Sequence, residues 1–156
     1  MRTWLLITPI LILFTACEFP KDPENTLKKV KDGQLRVGIS ENPPWTQKSG
    51  ETWTGIEPAL IERYAKKLNA EIKWIAKSES ELMKELENHR LDLVISGLRE
   101  DNPHSKSVGF TYGYAGEKKA KRVMAVPPGE NAFLSDLERF LRAEDPKAGE
   151  QKNASR

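Results

Sequence analysis

Short apolar runs punctuate the chain, and the stretches between them repeat at helical spacing. Leu35-Arg36-Val37-Gly38-Ile39 reads as a first strand starting near Gln34, ended by the turn chemistry of Ser40-Glu41-Asn42-Pro43-Pro44. Ile56, Ala59, Leu60, Tyr64 and Leu68 then recur at the spacing of one helix face. Pro58 suits the first turn of that helix, Lys66 and Lys67 its last turn, and Asn69 its stop. Glu71 to Ala76 predicts a second strand. Ser78 and Glu81 have the spacing of a capping box, and Leu82, Met83 and Leu86 form the stripe of a second helix. Leu91, Leu93, Val94 and Ile95, ending in Ser96-Gly97, read as a third strand buried in a parallel sheet.

Strand, helix, strand, helix, strand implies two right-handed crossovers, with the first strand lying between the second and third. Arg122 to Val126 adds a later strand, stopped by Pro127-Pro128-Gly129. Phe133, Leu134, Leu137, Phe140 and Leu141 mark a final amphipathic helix. The predicted fold is therefore an α/β lobe whose mixed sheet of about five strands is flanked by helices. Its expected core includes Leu35, Val37, Ile39, Leu60, Ile72, Leu93, Ile95, Val123, Leu137 and Leu141. The lobe is expected over 34–142, with a polar tail over 143–156.

The first 33 residues read differently. Arg2, the apolar run Trp4 to Phe14 and the small pair Thr15-Ala16 have the order of a secretory signal over 1–16. Residues 17–33 then form a polar leader that spaces the lobe from a membrane. Cys17 is the single cysteine, so it has no internal disulfide partner. Phe14-Thr15-Ala16-Cys17 resembles a bacterial lipobox, which implies lipidation of Cys17 and anchoring through two or more acyl chains. Phe14 replaces the usual leucine. The alternative is an ordinary signal peptide followed by a stray thiol.

Charge and composition narrow the function. With 25 basic against 23 acidic residues, the net charge of +2 makes no case for nucleic acid. Two histidines, one cysteine, no Walker-type glycine loop and no metal-spaced cluster predict no catalytic centre, metal or cofactor. Glu79, Glu81, Glu85 and Glu87 read as the wet face of a helix. Lys118, Lys119, Lys121 and Arg122 read as a solvated loop, with contact to anionic lipid as the other reading.

Ligands of open α/β sheets bind where strands end at their carboxyl edge. Ser96, Gly97, Leu98 and Arg99 belong there, and Trp45 follows the first strand to the same edge. Trp45 either stacks on a ligand or covers the local core. Arg99 is either an anion clamp, assisted by the Gly97 and Leu98 amides, or a surface partner of Glu100 or Asp101.

Asp92-Leu93, then Ser96-Gly97-Leu98, then Ser105 through Val108 and Phe110-Thr111 to Tyr114 resembles the first lobe of the bacterial extracellular solute-binding proteins of family 3. Leu35 to Ile39, Pro43-Pro44-Trp45 and Gly55-Ile56-Glu57 with Leu60 resemble its opening strand, aromatic turn and first helix. The resemblance covers roughly Gln34 to Tyr114. It implies one lobe of a periplasmic-binding-protein type II fold and a small-molecule solute of the amino-acid or organic-acid class. It also implies delivery to an ABC-transporter permease in the periplasm. Such proteins close two lobes over the solute. Here Ala115 to Lys121 takes the place of lobe two, and Arg122 to Leu141 resembles the return to lobe one; truncation at the hinge is the other reading. A missing wall would have to come from a second lobe in another chain. Site residues also depart. Arg99 and Asp101 stand where threonines are usual, and His104 where an arginine clamps the α-carboxylate. The competing functional class is an interaction or sensor module that keeps the lobe as a scaffold.

Overall fold

The computed structural model describes residues 22–117 and 120–144. The helices are α1 (Thr26–Val30), α2 (Ile56–Leu68), α3 (Glu79–Glu87) and α4 (Asn131–Glu144). The strands are β1 (Gln34–Ile39), β2 (Gln47–Ser49), β3 (Thr52–Thr54), β4 (Glu71–Ala76), β5 (Leu93–Arg99), β6 (Gly109–Phe110), β7 (Ala115–Glu117) and β8 (Ala120–Val126). One six-stranded sheet runs β4-β1-β5-β8-β6, with β7 also paired to β8. β1 lies between β4 and β5, parallel to both, as the two predicted crossovers require. β8 returns antiparallel to β5. It is long enough to take β6 along Ala125 and Val126 and β7 along Ala120 to Arg122, which raises the strand number to six. β2 and β3 form a separate hairpin.

Helices cover both faces. Leu35, Val37, Ile39, Leu93 and Ile95 face the larger core with Ile61, Tyr64, Phe133 and Leu137. Val94 and Leu98 face the other core with Leu82, Met83, Leu86 and Leu91. Gly38 lets that second layer approach, since a Cβ there would lie 2.7 Å from Leu91 and 2.8 Å from Leu82. α3 carries the predicted capping box: Ser78 accepts from the Glu81 amide, and Glu81 accepts from the Ser78 amide.

Two predicted core positions shift. Leu60 and Ile72 are half-buried, packed against the edge of the core. α2 turns Glu57, Ile61, Tyr64, Ala65 and Leu68 inward, one step round from the expected stripe, and leaves Ile56 exposed. Ile72 sits on β4, the last strand of the sheet, where one flank has no neighbour.

The leader also differs from expectation over its described part. Residues 22–33 are packed onto the lobe rather than spacing it. Val30 is fully buried in the larger core. Asp22 Oδ1 accepts from the Ala132 and Phe133 amides at the start of α4, at 2.9 and 3.0 Å. Glu130 in turn accepts from the Glu24 and Thr26 amides, at 2.9 and 3.0 Å. These reciprocal caps bind α1 to α4. The expected signal over 1–16, Cys17, Lys118, Lys119 and the tail beyond Glu144 lie outside the described residues. Among the described residues no helix is long and apolar enough to cross a membrane.

Candidate functional site

The carboxyl edge of β1 and β5 carries the site. After β1 the chain closes a small loop, with the Asn42 amide donating to Thr46 at 2.8 Å and the Thr46 hydroxyl to Ser40 at 2.6 Å. The loop leads into α2 by backbone alone, because the Ile56 and Glu57 amides donate to the Pro44 and Trp45 carbonyls. These bonds satisfy first-turn donors of a helix that has no side-chain cap. They also place Trp45 against β5.

β5 meets Trp45 at Gly97. The pairing of β5 with β8 shifts register between Val94 and Leu98, and Gly97 lies there at φ 61°. A Cβ at Gly97 would lie 2.7 Å from Trp45 and 2.8 Å from Asn42. Glycine is needed both for the left-handed backbone and for the approach of the ring. The Asn42 side-chain amide donates to the Ser96 carbonyl at 2.7 Å and closes the seam between the loop and β5.

Beneath the seam is a fully buried acid. Glu57 accepts from the Gly97 amide at 2.8 Å and from the Tyr114 hydroxyl. Burial pushes its carboxyl up to about 7; the Tyr114 and Gly97 bonds and the Arg122 charge pull the other way without cancelling it. Burial and the neighbouring Glu57 carboxylate likewise push the Tyr114 phenol up.

Arg122, on β8, completes the edge. Its Nη1 donates to the Gly97 carbonyl at 2.6 Å, and its guanidinium lies 5.0 Å from the centre of the Trp45 ring. Its Nε is buried without a hydrogen-bond partner, as is the Ser96 hydroxyl. Above them opens a cleft of about 320 Å³ lined by Asn42, Glu79, Gly97, Leu98, Arg99, Asp101, Asn102, Pro103 and Arg122.

The sequence-predicted residues therefore have unequal positions. Gly97, Leu98 and Arg99 line the cleft. The Gly97 amide, expected to serve a solute, is engaged by Glu57. Arg99 is half exposed and holds Asp101 in a two-point pair, Nε at 2.9 Å and Nη2 at 2.8 Å. That bond pulls the Asp101 carboxyl below its usual range. Ser96 is buried behind the wall, and Trp45 carries Arg122 over its ring. His104 sits half-buried in a 3₁₀ turn, Pro103–Lys106, beside the cleft rather than in its lining. Glu57, Tyr114, Asn42 and Arg122 are the residues that sequence reasoning left without a role. Glu57 had a legible signal: it falls on the stripe of Ile61, Tyr64 and Leu68, where an acid must be buried with partners. Among the described residues no group of three His, Cys, Asp or Glu could hold a metal ion.

Residues 35–153 match the family model of the bacterial extracellular solute-binding proteins, family 3. The chain belongs to this family. It is 30% identical over 115 residues to a probable histidine-binding protein of Campylobacter jejuni, covering 69% of this chain and 45% of that protein. It is 28% identical over 121 residues to the probable amino-acid-binding protein YxeM of Bacillus subtilis, covering 74% and 44%. This family 3 chain thus spans about half the length of the curated relatives it matches. Against the arginine-bound form of domain 1 from TmArgBP, the T. maritima protein, the TM-score is 0.65 at 25% identity, covering 71% of this chain and 93% of that domain. The family 3 lobe is a mixed α/β sheet flanked by helices, similar to that single domain, and belongs to a family of extracellular solute-binding modules.

Proposed function

We propose that this chain is the solute-binding lobe of an ABC-type uptake system, held in the periplasm by a lipid on Cys17, and that its solute is an amino acid. The observation that carries this reading is the cleft of about 320 Å³ at the carboxyl edge of β5, lined by both guanidinium and carboxylate groups. Its size lies at the lower end of small-molecule sites. Its mixed charge suits a zwitterion: Arg122 offers donors and Glu79 a carboxylate, while Arg99 and Asp101 are paired with each other at the rim. The relatives named for histidine, amino-acid and arginine binding support the same class. The lobe by itself leaves one side of the solute open, and a permease or a second lobe supplies the opposite wall.

A thermal-shift screen against amino acids, organic acids and small amines tests the solute. An amino acid that binds only the folded state raises the melting temperature with concentration. If no member of the panel does so, the lobe is a scaffold for protein contact instead. The anchor is tested separately: Cys17→Ala is expected to move the protein from the membrane fraction to the soluble envelope fraction, and unchanged association overturns lipidation.

A further inference from the structure

We propose that Arg122 is the residue that selects the solute, by holding its carboxylate, and that Arg99 is not. The inference rests on the amino-acid reading above. β5 and β8 place the two arginines side by side, since Arg99 and Arg122 are direct partners in the antiparallel register. Both line the cleft, yet their donors are committed differently. A guanidinium has five N–H groups arranged as a fork. Arg99 gives that fork to Asp101, Nε and Nη2 each meeting one carboxylate oxygen. An incoming carboxylate would displace an ion pair already made, at an exposed position where water competes.

Arg122 is held the opposite way. One hydrogen bond, from Nη1 to the Gly97 carbonyl, sets its direction. The Trp45 ring lies 5.0 Å from the guanidinium and supports it. Its Nε, closed to solvent in the unliganded lobe, has no hydrogen-bond partner, so part of the fork is unused. A buried donor left unmade is costly in an otherwise satisfied protein and calls for a reason. A solute carboxylate is the chemistry that completes a guanidinium two points at a time. The same placement has a second consequence. Arg122 lies over the aromatic ring on which a cationic solute would stack, so the ring serves the protein's own cation and the site favours the anionic end of the solute.

The test uses pairs of probes that differ only in the carboxylate: L-histidine against histamine, and L-arginine against agmatine. Calorimetric titration of the full chain is expected to show the amino acid preferred over its amine by about tenfold or more, a difference of about 1.4 kcal/mol. Arg122→Gln is expected to bring the two members within about twofold of each other, and Arg122→Lys, which keeps the charge without the fork, to restore part of the preference. Arg99→Ala is expected to keep it. The ratio is taken within each variant, so a general loss of stability does not move it. Preference kept in Arg122→Gln, lost in Arg99→Ala, or absent from the parent overturns the assignment while leaving amino-acid binding intact. If the parent binds neither member of either pair and no amino acid of the thermal-shift panel, the amino-acid reading falls and the assignment with it.

Discussion

Two carboxylate clusters, each with a buried glutamate, sit at opposite edges of the sheet, and they are built to different standards. At the amino edge of β5, Asp22 and Glu130 are met by several donors: the Ala132, Phe133 and Leu27 amides donate to Asp22, and the Glu24 and Thr26 amides, with the Thr26 side chain, to Glu130. At the carboxyl edge, Glu57 has two donors, yet burial still holds its carboxyl near 7. Ser96 Oγ and Arg122 Nε beside it have no partner at all. The first cluster closes a helix pair and has nothing left to offer. The second retains unmade polar capacity next to a cleft. Natural proteins break the rule of polar satisfaction mainly where function requires it, so the difference separates scaffold from site.

Removing the satisfied acid should have the largest effect. Glu130→Ala leaves the Glu24 and Thr26 amides without acceptors at a position 1% exposed. Charged hydrogen bonds of this kind contribute about 1.5–3 kcal/mol each, so a loss of about 4 kcal/mol is expected in urea unfolding. A loss below about 1 kcal/mol would show that α1 is not held by this cluster.

Neutralising the strained acid should act through pH rather than through bulk stability. Burial pushes the Glu57 carboxyl up to about 7 when folded, against an ordinary value of 4.5 in the unfolded chain. Between these values the folded state holds the extra proton, so the Glu57 contribution is fully present below about 4.5 and is lost as pH rises through 7. Glu57→Gln cannot titrate. The stability of the parent relative to this variant should therefore fall by an amount on the order of 3 kcal/mol from pH 4.5 to pH 8. A parent-minus-variant difference that is flat across this range would remove the contrast between the two clusters.

The smallest effect belongs to Arg99→Ala. Its ion pair with Asp101 is exposed on both sides, and pairs of that kind add little. The melting temperature of the unliganded protein should stay nearly where it is. A clear drop would make the Arg99–Asp101 pair a structural brace of the cleft rim.

The amino-acid order alone determined the crossovers and the central place of β1, and pointed to the carboxyl edge where the cleft opens, because these depend on periodicity and on the handedness of parallel connections. It also placed Ser78 and Glu81, whose capping box is local. Tertiary structure decided everything that depends on distant segments meeting. Asp22 reads as a linker residue until α4, some 110 residues away, presents its amides. Arg122 reads as the end of a lysine-rich loop until β8 pairs with β5 and lays it over Trp45. Arg99 was visible as an arginine at the right edge; that its fork is taken by Asp101 while that of Arg122 is partly unused follows only from side-chain geometry. Local pattern records what a residue can do, but which donors are already satisfied is settled by packing, because a hydrogen bond needs both partners within reach.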